Sequence, residues 1–266
     1  MCALFGISRA AFYAWAKRSQ GSDPDRERMA LVQEAFQRSH RTYGYRRIAL
    51  WLYSRRGIQI NGKAVLRLMN KLEIRPLARR RRVYRSLEPM LAEHTYPNRL
   101  RRDFAASRPN QKWVTDVTYI RTRQGWAYLA VIKDLFDGFI VAHQVSRDNS
   151  IGLVTRTLQL AQQQERKLKG LLLHSDQGSQ YRSDPYHVLL TTSGITPSMS
   201  RRGNCWDNAP MENFFGHLKQ EALRPFHRPS FQQAKQIIGE YIDFFNYERI
   251  QLKTRQTPYQ LRCLSG

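Results

Sequence analysis

The sequence predicts an α/β protein: a five-stranded mixed sheet with flanking helices, preceded by a basic helical region. Three observations predict it. From residue 111 onward, three strands follow one another through short turns and give way to a strand–helix–strand order. Residues 25–75 instead repeat apolar side chains at i, i+3, i+4 and i+7, the stripe of an amphipathic helix. Finally, three carboxylates fall at telling places: Asp116 inside a strand, Asp176 at the close of another, and Glu212 in the first turn of a helix.

Charge narrows the function. The chain has 266 residues and a formal net charge of +23, from 44 Lys and Arg against 21 Asp and Glu. A small metabolite does not demand that excess, and a polyanion does. Residues 1–110 hold 24 basic and 8 acidic side chains, so the basic excess is concentrated ahead of the sheet. Cys2, Cys205 and Cys263 are scattered and odd in number, which argues against a disulfide framework and against a structural zinc site. A reduced cytosol is the expected compartment. No apolar run approaches the ~18 residues of a membrane span, and no signal-peptide pattern opens the chain.

Element by element, residues 1–20 read as part of a helix-turn-helix whose beginning is missing, with Ser8 as the helix cap. Residues 25–75 read as a compact helix-turn-helix-like module. Tyr45, Ile48, Ala49 and Leu52 line one helix, Gly57 ends it, Asn61 caps the next, and Val65, Leu68, Met69 and Leu72 line that one. Its other face carries Lys63, Arg67 and Lys71 at i, i+4 and i+8. Like charges at this spacing repel mildly, so a neutralising partner such as DNA is expected, against the plainer reading of a solvated helix face. Residues 76–110 have four prolines, no sustained period, and the run Arg79, Arg80, Arg81 and Arg82; they read as a basic linker tracking a phosphate backbone.

The grammar then changes. Trp113–Ile120, Trp126–Leu135 and Phe139–Val145 are predicted strands, joined at Gly125 and at Asp137-Gly138. A helix over 150–165, a strand over 170–175, a short helix over 184–192 and a strand over 195–199 follow. Two helices, 208–223 and 230–247, close the pattern. A hairpin trio, then βαβ, then helices is the order of the ribonuclease-H-like fold, and it places the core at 111–225 with a C-terminal helical extension at 226–266. In that order the three acids meet at one end of the sheet, where carboxylate oxygens suit hard divalent cations. Two such ions can clamp the attacking and leaving oxygens of a phosphodiester.

At these residues the chain resembles a known family. Trp113-Val114-Thr115-Asp116-Val117-Thr118, His174-Ser175-Asp176-Gln177-Gly178-Ser179-Gln180-Tyr181 and Asp207-Asn208-Ala209-Pro210-Met211-Glu212 look like the DDE transposases of bacterial insertion sequences. The branch is the family numbered three (OrfB product), whose catalytic core is akin to retroviral integrase. His40-Arg41-Thr42-Tyr43-Gly44-Tyr45-Arg46-Arg47-Ile48 resembles that family's internal helix-turn-helix, and Asn246, Tyr247, Arg249, Thr257 and Pro258 its C-terminal signature. The resemblance implies that Asp116, Asp176 and Glu212 are the catalytic, metal-binding triad for two Mg2+, with Mn2+ able to substitute. It implies nicking and joining of double-stranded DNA at terminal inverted repeats, and insertion into target DNA. It also implies at least a dimer on DNA, in the bacterial cytoplasm at the nucleoid. In the family an upstream reading frame supplies a further helix-turn-helix and zipper, as a partner or fusion. Gln251 departs from the family, which tends to carry histidine there.

Secondary expectations attach to neighbouring residues. Lys219, two helical turns past Glu212, is expected beside the metals, on a DNA phosphate or terminal base. Arg201 and Arg202 are expected to touch DNA from their loop. Asn208 is expected to cap the Glu212 helix, or else to touch DNA. Asp134 and Asp137 read as turn and edge residues, Asp184 as a helix cap, and His174 as a buried, hydrogen-bonded histidine. Trp206 reads equally as a base-stacking side chain or a core anchor. Two other functions stay open: a catalytically idle DNA-binding regulator, against which the intact triad speaks, and a ribonuclease-H-type nuclease, against which the basic helical region speaks.

Overall fold

The computed structural model describes residues 6, 8–19, 23, 25–77, 94–165 and 168–264. The chain divides into two compact units, residues 1–77 and 78–266.

The first unit contains α1 (Arg9–Ser19), α2 (Arg26–Arg38), α3 (Tyr45–Arg56) and α4 (Gly62–Lys71). The apolar stripes pack as their spacing demands: Val32, Ala35 and Phe36 of α2 are buried with Ile48 and Leu52 of α3 and Val65, Leu68 and Met69 of α4. Gly57 ends α3 with a left-handed φ of +67°, and the Asn61 side chain accepts from the Lys63 N–H to start α4.

The second unit is built on one sheet: β1 (Lys112–Thr122), β2 (Gly125–Asp134), β3 (Ile140–Ser146), β4 (Leu172–Ser175) and β5 (Thr196–Met199), in the order β3-β2-β1-β4-β5. β1, β2 and β3 are antiparallel neighbours, whereas β4 joins β1, and β5 joins β4, in parallel. This is the ribonuclease-H-like arrangement. The parallel steps need crossovers, supplied by α5 (Ile151–Gln164) and α6 (Asp184–Thr192). Alternation decides the faces. Trp113, Ala130 and Ile132 pack with Leu153, Leu158, Tyr186 and Leu190 in the core under α5 and α6. The intervening residues Val114, Asp116 and Thr118 therefore face the opposite side. That side receives α7 (Ala209–Leu218) and α8 (Phe231–Asp243), whose Phe214 and Tyr241 rings are buried. A short α9 (Pro258–Cys263) follows.

Both closing helices differ from the sequence expectation in one respect. Each runs into a π-turn, Lys219–Leu223 after α7 and Phe244–Glu248 after α8. The two turns are held together by side chains the sequence does not pair. Arg249, 1% exposed, donates to both carboxylate oxygens of Glu221, at 2.9 and 2.6 Å, and the Tyr241 hydroxyl donates to Glu221 at 2.7 Å. π-turns frequently mark functional sites, and this one begins at Lys219. Asn246 meanwhile clasps the outer strand of the sheet: it accepts from the Ile140 N–H at 2.8 Å and donates to the Ile140 carbonyl at 3.1 Å. Residues after 226 thus pack into the same unit as the sheet. No described helix is long and apolar enough to cross a membrane.

Candidate active site

The sheet register builds the centre. β1 and β4 pair at Lys112–Leu172, Trp113–Leu173 and Val114–His174. Asp116 and Asp176 each stand two residues beyond that last pair, at the same end of the two chains. Asp116 lies mid-strand and Asp176 one residue past the end of β4. Glu212 lies in the first turn of α7, which packs on β1.

Each aspartate is locally fixed. The Val117 N–H donates to Asp116 Oδ1 at 2.7 Å, and the Gly178 N–H to Asp176 Oδ1 at 2.9 Å. Gly178 leaves room for this contact: a Cβ there would stand 3.0 Å from Asp176 Oδ1 and 3.2 Å from Gln180 Oε1, so both side chains would have to give. Tyr181, buried beneath, shares a hydrogen bond with the Thr115 hydroxyl at 3.2 Å. Gln177 donates to the Ser200 carbonyl.

The electrostatics report convergence. Burial first, then the Asp176 and Glu212 carboxylates, push Asp116 well above the usual carboxylate range, while the Val117 N–H and the Lys219 ammonium pull the other way. Burial raises Asp176 too, opposed by the Gly178 N–H and Arg182. The acids and Lys219 therefore share one neighbourhood. Among the described residues, however, no group of three or more His, Cys, Asp or Glu is drawn in tightly enough to hold a metal as it stands. The donor set still fits a hard divalent cation, because it is all carboxylate oxygen, and its mutual repulsion is what such a cation relieves.

The basic residues have more definite employment than their sequence positions suggest. The Lys219 Nζ donates to the Thr118 hydroxyl, on the face of β1 that carries Asp116. Arg201 gives Nε and Nη2 to Asp207, both at 2.9 Å, so its guanidinium braces the chain internally; Arg202 is exposed. In the first unit, Arg67 pairs with Asp25 at 2.9 Å and Lys71 with Asp23 at 2.6 Å, so the neutralising partner of that helix face is in part the chain's own segment before α2. Lys63 is exposed. Arg79, Arg80, Arg81 and Arg82 lie outside the described residues.

The structure decides several side readings, changing some and bearing out that of His174. Asn208 does not cap α7; its Nδ2 donates to the Thr115 carbonyl at 3.1 Å. Asp134 ends β2 and Asp137 lies in the turn after it, as read, but both are buried, accepting from the Trp113 indole, from backbone N–H groups and from Arg262. Asp184 makes no cap and instead meets His94 Nε2 at 2.6 Å. Trp206 is 60% exposed, so it is no core anchor. His174 is wholly buried between the Ser198 and Ser200 hydroxyls, and burial lowers it to about 4, which keeps it neutral. Asp207 has no role in the sequence reading beyond its place in the motif; wholly buried, it accepts from Arg102 and Arg201, 105 and 6 residues away.

Comparison with known proteins bears on the family and the fold. Residues 106–205 and residues 212–265 match two models each described as an integrase core domain, and residues 23–82 match an HTH-like domain. The uncharacterised 31 kDa protein of insertion element IS600 from Shigella sonnei is 37% identical over 255 residues, 94% of this chain and 92% of that protein. Transposase InsF for insertion sequence IS3A of Escherichia coli (strain K12) is 33% identical over 251 residues, 91% of this chain and 85% of that one. Among solved structures, the simian T-cell lymphotropic virus intasome in complex with the PP2A regulatory subunit B56 gamma matches with a TM-score of 0.53 at 16% identity, covering 80% of this chain and 74% of that one. At that identity it is the fold that is shared.

Proposed function

The chain belongs to the IS3 family of bacterial insertion-element transposases, and from that premise we propose that it nicks and joins DNA at the ends of its element by metal-dependent phosphoryl transfer. One observation supports the reading most directly: the β1–β4 ladder ends two residues before both Asp116 and Asp176, and Asp116 feels both Asp176 and Glu212. Asp116, Asp176 and Glu212 would hold two Mg2+, or Mn2+ in their place. When bound, such ions lower the pKa of water and stabilise the attacking and leaving oxygens of an in-line displacement.

The chain's own residues prepare that chemistry. The Val117 and Gly178 N–H groups fix one oxygen of each aspartate and leave the other available. Lys219, anchored through Thr118, sets a positive charge beside Asp116, where a scissile phosphate needs one. Lys63, Arg202 and the run Arg79–Arg82 would supply phosphate contacts away from the centre, and Arg67, Lys71 and Arg201 would join them only by exchanging their carboxylate partners. Two element ends have to be brought together, so we infer at least a dimer on DNA, working on the bacterial chromosome.

The deciding experiment incubates the full chain with labelled terminal-repeat DNA and Mg2+. Nicked and joined products, both stopped by EDTA, are expected. Asp116→Ala, Asp176→Ala and Glu212→Ala should each abolish both products while leaving DNA binding intact; turnover retained by any one removes that residue from the site. Cleavage without joining would mean a nuclease, and binding without cleavage a regulator.

A further inference from the structure

We propose that Asn208 is a positioning residue for the triad: through one buried amide hydrogen bond it holds the helix carrying Glu212 against the strand carrying Asp116. This rests on the functional reading above.

Asn208 stands four residues, about one helical turn, ahead of Glu212. It occupies the cap position of α7, where an asparagine ordinarily turns its oxygen onto the first N–H groups of its own helix. Here it makes no such bond. The side chain leaves its helix and donates Nδ2 to the carbonyl of Thr115, the residue before Asp116. The residue is 4% exposed, and its Oδ1 is buried with no hydrogen-bond partner among the described residues. A cap would satisfy that oxygen. Leaving a buried acceptor unmade is unfavourable, so a side chain that forgoes its cap to reach a strand carbonyl calls for an explanation beyond helix stability.

The place of the bond supplies one. The parallel ladder between β1 and β4 has its last pair at Val114–His174, one residue before Thr115. Asn208 takes the carbonyl one residue past that last rung and one residue before Asp116. Its neighbour Asp207 anchors the same turn to another part of the chain. Asp207 is wholly buried and accepts from Arg102 Nε at 2.8 Å, from Asn98 Nδ2 at 2.9 Å and from the Arg201 backbone and guanidinium. Consecutive residues thus set the start of α7: Asp207 fixes the turn to the 98–102 segment, and Asn208 fixes the separation of α7 from β1. The distance between Glu212 and Asp116 depends on that separation.

The test compares wild type, Asn208→Ala and Asn208→Asp as full chains bound to end DNA. Nicking is measured across a Mg2+ titration, Mn2+ binding by the electron paramagnetic resonance of the free ion, and folding by thermal melting. Displacing one metal-holding carboxylate should slow nicking about tenfold or more, raise the Mg2+ concentration for half-maximal rate and weaken Mn2+ binding. DNA affinity should stay unchanged, and both variants should still melt cooperatively, Asn208→Asp the lower because it buries a carboxylate against a carbonyl. Asn208→Asp keeps the size but turns the donor into an acceptor, so it should follow Asn208→Ala. A lowered melting temperature with unchanged nicking and unchanged metal dependence overturns the proposal, as does loss of cooperative melting in both variants, which would make Asn208 a folding residue. A wild type that binds Mn2+ but never nicks would sink the functional reading, and the Mn2+ comparison would still decide the role of Asn208.

Discussion

Arg249→Met is expected to destabilise the second unit sharply, and its size can be worked from the contacts of Glu221. Burial on its own would raise that carboxyl; the hydrogen bonds from His217 and Arg249, the Arg249 charge and the Tyr241 hydroxyl overcome it and bring it down from 4.5 to about 2. The drop corresponds to about 3 kcal/mol in favour of the folded state at neutral pH. That figure belongs to all the partners of Glu221 together; breaking a buried pair by removing one partner costs about 3–5 kcal/mol by general experience. In a unit of this size each kcal/mol moves the melting temperature by about 2–4 °C, so a fall of about 10 °C is expected in calorimetry. The sign with pH is fixed. A carboxyl lowered on folding stabilises above its unfolded value and loses that contribution as pH falls toward its folded one. The gap between wild type and variant should therefore be widest above about pH 5 and shrink from there toward pH 2. Adding Glu221→Gln to Arg249→Met should recover part of the loss, because the stranded charge is gone. A shift of less than about 3 °C, or a double variant that merely sums the two singles, would refute the idea that the pair holds the π-turns together.

Three further outcomes are expected. Asp116→Asn in EDTA should raise the melting temperature at pH 7.5: burial and its carboxylate neighbours push Asp116 up, so the folded state loses stability as pH rises past the ordinary value near 3.8, and an amide removes that penalty. Added Mg2+ should stabilise wild type more than this variant, and a lowered melting temperature in EDTA would contradict the reading. Asp23→Asn with Asp25→Asn should release Arg67 and Lys71, raising DNA affinity on any sequence and steepening the log–log salt dependence by about 1.8; an unchanged slope in a fluorescence-anisotropy titration would exclude that face from DNA. Asn246→Ala should cost about 2 kcal/mol in urea denaturation and speed amide exchange at Ile140, since it removes both bonds to that residue.

What the sequence made legible follows from range. Alternation in Trp113–Ile120 and the 3.6-residue stripes of α3 and α4 are local patterns, and those elements form where the patterns place them. The third strand begins at Ile140 rather than Phe139, because Asp137 accepts from the Phe139 N–H and keeps that residue in the turn. Candidate acids were also readable, because a strand, a strand end and a helix start can each be inferred locally. The partners were not. Glu221 meets Arg249 across 28 residues, Asp207 meets Arg102 across 105, and Asp134 meets Arg262 across 128. An arginine in the sequence looks the same whether it awaits a phosphate or closes on an aspartate, so nothing local announces that Arg67 pairs with Asp25 and Arg201 with Asp207. Asn208 misled for the opposite reason: cap propensity is local, and a strand carbonyl from 93 residues earlier outcompeted it.

The pairing of β1 with β4 has a consequence for how this chain can change over generations. Because side chains alternate faces with a period of two, a single residue inserted between Trp113 and Asp116, or between Leu173 and Asp176, would turn one carboxylate away from its neighbour. The turn at Arg123–Gln124 is tied down differently, by the Pro229 carbonyl and the Phe231 N–H at the start of α8, so lengthening it would loosen that helix while leaving the register of both carboxylates alone. Length changes among descendants of this chain are therefore expected to be tolerated least within a few residues on either side of the final Val114–His174 rung.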